Sequence, residues 1–324
     1  MTTYSLPFSV IACSGADAQH FLHNQLTQSV NDLDSEHARL FAYCTPKGRV
    51  IANGLIWRSA DNDGFYLLVH QSIAEALLHR LKMYVLRAQV TLELVHDAMV
   101  LGSQQPLIAA PSSVPTQTEL GQLPIYPHQA GICIQALTPP HEPPRYWHIV
   151  LHAHDSQPPS KKEQLIPLDH WLYQELRNGW VWIKAETAEL FIPQNINLDI
   201  IPAVHFAKGC FPGQEVVARS HYRTTIRKRT VLMSAPVTGD NIPTAASSLL
   251  AQDLVLASSN HHAAQPARVA GRIADCVIFA EQVWALVETQ LDYILEQHKL
   301  ELNDELCFEH IALPFEDRLP WEKK

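Results

Sequence analysis

Apolar and polar positions change their period several times along this 324-residue chain. Phe8 to Cys13 is a short apolar run that predicts a strand. Ser14-Gly15-Ala16-Asp17 has the Ser-x-x-acid spacing of a helix start, and Phe21, Leu22, Gln25 and Leu26 follow at helical intervals. Arg49 to Trp57 and Phe65 to Val69 predict two strands of a hairpin joined through Asp61-Asn62-Asp63-Gly64, whose small polar residues and glycine suit a tight reversal. A second start signal, Ser72-Ile73-Ala74-Glu75, leads into Ile73, Leu77, Leu81, Tyr84 and Val85 on one face. That spacing predicts an amphipathic helix to about Arg87, with a strand from Gln89 to Val95. Strands alternating with helices that cover one face point to an α+β layer.

Pro, Ser, Gln and His dominate from about 103 to 127 and from 138 to 162, which predicts exposed connections within the first unit. Leu168, Trp171, Leu172, Glu175 and Leu176 fit a helix between Leu165 and Asn178, stopped near Gly179. From Arg229 onward the runs Thr230 to Met233, Leu254 to Ala257, Arg268 to Phe279 and Trp284 to Val287 predict a small β-barrel or sandwich. The expected division is therefore residues 1–228, in two subdomains, and a C-terminal unit at 229–324.

Composition narrows the function classes. A net charge of −9 provides no global field toward nucleic acid or anionic lipid. Neither Lys nor Arg precedes Arg39 and polar residues break the apolar runs there, so neither a secretory signal nor a membrane helix is expected; the expected location is the cytoplasm, with no membrane partner. The six cysteines hold no C-x-x-C pair, which argues against a zinc knuckle or a compact cluster-binding run. His205, Cys210 and His221, or the pair His261-His262, match no zinc spacing, and no stable metal is expected.

One segment carries candidate chemistry. Gly209 and Gly213 bracket Cys210 within Lys208-Gly209-Cys210-Phe211-Pro212-Gly213-Gln214-Glu215. Two glycines permit a backbone bend that presents the sulfur, and a neighbouring ammonium such as Lys208 favours the thiolate, the form that acts as nucleophile or metal ligand. Taken alone, a single cysteine reads more readily as a small buried hydrophobe.

The run KGCFPGQEVVAR, Lys208 to Arg219, resembles the K-G-C-[FY]-x-G-Q-E signature of the YgfZ family. Gly15-Ala16-Asp17 with Phe21-Leu22 and Gln25-Leu26-Thr27 is similar to that family's first helix, and Lys47-Gly48-Arg49 to its K-G-[KR] turn. Phe191-Ile192-Pro193-Gln194 with Asn197-Leu198 is similar to its approach to the signature, and Leu313-Pro314-Phe315 to its closing L-P-Y. The resemblance implies the fold of the glycine-cleavage aminomethyltransferase, the T-protein: a ring of subdomains around a central folate-sized opening, followed by a C-terminal β-barrel.

It further implies tetrahydrofolate binding and support of iron–sulfur enzymes or cluster-assembly proteins, including the enzyme that methylthiolates tRNA. Cys210 is then the functional thiol with Lys208 tuning its charge, Gly209 and Gly213 presenting it, and Gln214 and Glu215 fixing the loop or the ligand. Trp171 and Phe8 fall where family aromatics meet folate, and Lys47 and Arg49 are the cations for its glutamate tail; Arg177 is a weaker match. Both aromatics read equally as core residues from their spacing. Gly48 to Asn53 supplies no carboxylate where the T-protein carries an Asp pair, which disfavours glycine-cleavage chemistry. The rival readings are a true aminomethyltransferase and a non-enzymatic scaffold. The basic run Arg219, His221, Arg223, Arg227, Lys228 and Arg229 reads as a solvated strand or loop, and direct tRNA binding is not expected.

Overall fold

The computed structural model describes residues 4–60, 64–106, 121–128, 131–139, 142–151, 165–237, 243, 245–257, 269–303 and 305–321. The expected turn at Asp61-Asn62-Asp63, the pair His261-His262, Arg268 and parts of the connections at 103–127 and 138–162 lie outside these residues.

Strands β1 (Phe8–Ser14), β2 (His37–Cys44), β3 (Val50–Arg58), β4 (Gly64–His70), β5 (Thr91–Leu94), β6 (Met99–Ser103), β7 (Leu123–His128), β8 (Gly131–Gln135) and β9 (Tyr146–Val150) form one antiparallel sheet. Its order is β5-β1-β4-β3-β2-β7-β8-β9-β6. The expected hairpin is present, with Leu55 opposite Leu68 and Trp57 opposite Tyr66. Alternate residues feed two cores, because successive strand side chains point to opposite faces. Leu67 and Val69 pack with Phe21, Leu22, Leu77 and Leu81 of helices α1 (Ala18–Gln25) and α2 (Gln71–Met83), whereas Leu68, Leu55 and Trp57 face the larger core shared with the C-terminal strands.

Several expectations need correction. Strands β7 and β9 occupy segments expected to be exposed connections; Tyr146, Trp147 and Val150 are buried despite the surrounding prolines. Strand β2 carried no alternation to read, since all of its residues except His37 are buried. Ser14 ends β1 instead of capping α1, and the Asp17 carboxylate accepts from the Gln89 backbone N–H at 2.7 Å. Helix α2 begins one residue earlier than Ser72 and stops at Met83, short of Leu86, which takes φ +48°.

His70 is the residue that caps α2, its Nδ1 accepting from the Ser72 N–H. Burial, and then the Lys184 ammonium, pull this imidazole down to about 3. A folded-state value below the unfolded one, about 6.5, means that the unfolded chain takes up the proton first as pH falls. Stability is therefore whole above about pH 6.5 and declines as pH approaches 3; by pH 5 the loss is about 2 kcal/mol. Urea midpoints measured between these limits should show that slope in the wild type and most of it removed in His70→Asn, which keeps a capping acceptor and loses the titration.

Helix α3 (Leu168–Arg177) lies against two strands of the C-terminal unit, and Gly179 just beyond it takes a left-handed turn at φ +74°. After a 3-10 turn at Pro193–Ile196 and helix α4 (Gln214–Arg223), the chain forms β10 (Lys228–Pro236), β11 (Asp253–Leu256), β12 (Val269–Phe279), β13 (Gln282–Gln290), β14 (Leu300–Leu302) and β15 (Leu306–Ile311), with a short helix α5 (Leu291–Leu295). These six strands close as a barrel, β10-β13-β12-β11-β14-β15, which settles the choice between barrel and sandwich. Polar pins tie it to the segment before the signature. Asp275 accepts from the Trp182 N–H at 3.0 Å and from Lys184, Asn197 donates to the Thr230 carbonyl at 2.8 Å, and Arg229 pairs with both oxygens of Asp199.

Candidate functional site

The signature forms a bend held at both ends. At its start, the buried Lys208 ammonium donates to the carbonyl oxygens of His23 and, at 2.5 Å, Leu26. These belong to the last turn of α1 and the residue that ends it, where carbonyls lack partners within the helix and a cation meets the negative end of the helix dipole. The ammonium also lies 5.1 Å from the centre of the Phe211 ring, and burial pulls it down to about 8. At the other end Gly213 takes φ +83° and opens α4. A Cβ there would stand 2.7 Å from the Gly48 Cα and would collide with the Thr45 carbonyl oxygen. Gly48, at φ +72°, in turn leaves room for Val216, so the Lys47-Gly48-Arg49 turn and the signature interlock glycine to glycine.

Between these anchors Gly209 and Cys210 are exposed. Among the described residues beyond its chain neighbours, only the His23 Nε2, at 3.9 Å, would come within 4 Å of a Cβ on Gly209, so this glycine leaves open space and is not a steric necessity. Gln214 and Glu215 stand in the first turn of α4, not in the loop; the loop is fixed by Lys208 and Gly213. The segment leading in is clamped by Thr27, whose hydroxyl donates to the Ala203 carbonyl at 2.6 Å and whose own carbonyl accepts from the His205 N–H at 2.9 Å. Gln194 holds α4 by donating to the Val217 carbonyl at 2.7 Å.

Phe8 and Trp171 meet in a second place. Both are buried and both pack against Trp147, at ring-centroid distances of 5.0 and 4.6 Å; Phe8 also lies 4.4 Å from Trp182. Trp171 is 0% exposed, with the Arg145 guanidinium 4.6 Å above its ring. Arg145 pairs with the buried Glu175 at 2.9 Å, and the other Glu175 oxygen accepts from the Trp182 indole at 3.1 Å. Nε and Nη1 of Arg145 and the indole nitrogens of Trp171 and Trp180 are buried donors without an acceptor among the described residues. Lys47 and Arg49 are exposed, Arg49 donating to the Leu190 carbonyl at 2.5 Å. Arg177 pairs with Glu142 at 2.8 Å.

No family model matches the chain. It is similar to the tRNA-modifying protein YgfZ of Sodalis glossinidius, 27% identical over 248 residues that cover 72% of this chain and 73% of the relative. The YgfZ protein of Edwardsiella ictaluri is 29% identical over 233 residues, 69% of this chain and 66% of the relative. That of Escherichia coli O157:H7 is 26% identical over 231 residues, 70% and 69%. Among solved structures, the glycine cleavage system aminomethyltransferase T of Bartonella henselae superposes with a TM-score of 0.69, covering 96% of this chain and 85% of that one at 15% identity. The chain is similar to the YgfZ proteins and has the fold of the T-protein.

Asn53 ends the stretch that lacks the T-protein's acids. It is 0% exposed and spends both amide ends on backbone, donating to the Val181 carbonyl at 2.6 Å and accepting from the Ile183 N–H at 2.9 Å. It is thus a strut between β3 and the 181–183 segment, an amide that, unlike a carboxylate, takes up no proton. The basic run is divided. Arg219, His221 and Arg223 belong to α4, a helix and not the expected strand or loop, while Lys228 and Arg229 begin β10. The His221 ring stacks on Phe206 at 3.6 Å, and Arg229 is held by Asp199. A cleft of about 640 Å³ opens between Thr224–Ile226 and the C-terminal strap at 317–321. Among the described residues no group of three or more His, Cys, Asp or Glu is placed to hold a metal ion.

Three site residues escaped sequence reasoning: His23, Thr27 and Arg145. Thr27 sat inside the Gln25-Leu26-Thr27 match, whose role in clamping the signature is visible only in three dimensions. His23 and Arg145 gave no signal, because their partners lie far along the chain.

Proposed function

We propose that this chain is an accessory protein of tRNA modification, acting in the cytoplasm with tetrahydrofolate and with iron–sulfur enzymes or cluster-assembly proteins as its partners, and that Cys210 is its functional thiol. The observation that carries this reading is the setting of Cys210, exposed at the crest of a bend locked by Lys208 and Gly213. Cys13, Cys44, Cys133 and Cys276 are by contrast buried, their thiols pushed up to about 12, as suits inert core cysteines. Among the described residues no helix is long and apolar enough to cross a membrane.

Folate is supported by the second place. A pterin is flat and carries acceptor atoms along one edge; the orphaned donors of Arg145, Trp171 and Trp180, set among aromatic rings, have the chemistry to meet it. Phe8, Trp171 and Arg145 would hold the ring system, with Lys47 and Arg49 as the cations for the glutamate tail. When bound, tetrahydrofolate supplies one-carbon or redox chemistry. The chain's own contribution is to position that ligand and to hold a thiol whose Lys208 neighbour is committed to α1.

In cells lacking the wild-type protein, Cys210→Ser should fail to restore tRNA methylthiolation while the wild type restores it. Full activity of Cys210→Ser would overturn the thiol assignment and favour a scaffold. Anaerobic titration with tetrahydrofolate should change tryptophan fluorescence saturably, and no saturable signal would remove the ligand. Formation of methylenetetrahydrofolate from an aminomethylated lipoyl carrier would instead establish an aminomethyltransferase.

A further inference from the structure

We propose that the outer face of α4 binds an unpaired stretch of RNA, with Arg219 and Arg223 on its phosphates, Tyr222 stacked on a base, and the neighbouring cleft taking the next nucleotide. This inference rests on the proposed role in tRNA modification and names RNA as a direct partner of the element that follows Cys210.

The helix itself builds this face. Along α4 only Val217 is buried, so the outer side is left to solvent. Residues three and four apart on a helix are neighbours, which sets Tyr222 and Arg223 beside Arg219. All three are exposed, Tyr222 at 68%. Neither arginine has a hydrogen bond or ion pair among the described residues, although Glu215 lies one turn before Arg219. Arg227, Lys228 and Arg229, by contrast, are committed to Asp292, Glu288 and Asp199. The expectation of no direct tRNA contact rested on a solvated strand or loop; the helix removes that ground by gathering two free guanidiniums and a ring.

The rings favour nucleic acid over an acidic protein. His221 stacks on Phe206 at 3.6 Å with planes 16° apart, and Tyr222 stands edge-on to both, at 4.8 and 6.2 Å. A tyrosine held by two neighbouring rings is a pre-set platform, and beside guanidiniums it has the chemistry that stacks an unpaired base while the phosphates are held. An acidic protein would use the charges and leave the ring idle. A duplex hides its base faces, so the strand must be unpaired. His221 also lines the cleft of about 640 Å³, a size suited to a small ligand. Trp321, Thr224, Thr225 and Arg318 supply it with a further ring, two hydroxyls and a cation. Of the carboxylates in its wall, Asp199 is paired with Arg229, and Asp317 is followed by Arg318. By the helical rise, Tyr222 lies about 14 Å along the axis from Gly213, where the bend carrying Cys210 ends.

Fluorescence anisotropy with the full chain and a labelled, unmodified tRNA transcript tests this. Binding should saturate at about 50 mM salt and weaken as salt rises, two phosphate contacts contributing about −1.4 to the slope of log K against log salt. Arg219→Gln with Arg223→Gln should flatten the slope by about that amount. Tyr222→Ala should weaken binding about fivefold or more and leave the slope unchanged, a split that a general loss of structure does not produce. The three side chains are exposed, so melting temperatures should match the wild type; the arginine pair, read by its slope, decides the matter if Tyr222→Ala fails to fold. Fully paired RNA of equal length and poly-glutamate should both compete more weakly than the tRNA. No saturable binding, or wild-type affinity in both variants, overturns the proposal. Poly-glutamate competing as well as tRNA would assign the face to an acidic protein and overturn it too. Complementation separates the two claims. If tRNA does not bind yet the wild type restores methylthiolation, this inference falls alone; if binding depends on Tyr222 yet the wild type restores nothing, the functional reading falls alone.

Discussion

Gly213→Ala is expected to destabilise the protein by about 3 kcal/mol or more and to abolish complementation, whereas Gly209→Ala leaves stability within about 0.5 kcal/mol of wild type. Two costs add at position 213. The backbone there is left-handed at φ +83°, which costs a residue with a Cβ roughly 1–2 kcal/mol. The Cβ would also meet backbone on the opposing turn, at Gly48 and Thr45, and backbone cannot rotate away as a side chain can. Relief requires moving the Lys47-Gly48-Arg49 turn away from α4, and that turn is itself held by the Thr45 N–H to the Arg49 carbonyl at 2.8 Å. The bend carrying Cys210 would therefore lose its second anchor. At Gly209 the same methyl group enters open space, with a single imidazole nitrogen at 3.9 Å. Paired urea denaturation curves check the contrast; equal midpoints for the two variants would show that the bend is not set by Gly213.

That asymmetry marks where the sequence was legible. Lys208 to Glu215 could be read as a constrained bend because glycines and their intervening residues are local information, and the resemblance it carried is matched by the relatives and by the T-protein fold. Helix α3 was legible from its apolar period, and β10 to β13 as short apolar runs, whereas β14 and β15, three and six residues long, carried no such run. Helix α4 was not: only Val217 is buried along its length, so no stripe of apolar residues announces it, and Arg219 and Arg223 read as a solvated run. Strand β2 failed for the opposite reason, being buried on both faces and showing no alternation. Which of the two glycines was indispensable, and that Lys208 serves the end of α1, depended on contacts with Gly48 and His23 more than 150 positions away, which no local pattern encodes.

Arg145 illustrates the same limit with a larger energetic stake. In the run His141-Glu142-Pro143-Pro144-Arg145-Tyr146 it has the look of a surface cation, yet it is 1% exposed and paired to Glu175 thirty residues on. Breaking one side of such a pair leaves an uncompensated buried charge, at a cost of about 3–5 kcal/mol. The two sides should nevertheless differ. Burial pushes the Glu175 carboxyl above the usual carboxylate range against the pull of Arg145, so in Arg145→Met the carboxyl can take up a proton and become neutral. Arginine has no such escape, since its guanidinium stays charged. Glu175→Gln should therefore be the more damaging single change, and its excess over Arg145→Met should widen as pH falls. The double variant Arg145→Met with Glu175→Gln removes both charges and keeps an amide oxygen for the Trp182 indole, so it should be more stable than Glu175→Gln alone. A double-mutant cycle from urea midpoints at pH 7 gives the coupling, expected at about 2 kcal/mol or more. Simple additivity of the two single changes would mean that the pair is not what holds α3 to β9, and that the orphaned donors around Trp171 belong to a looser interior than the packing of its rings indicates.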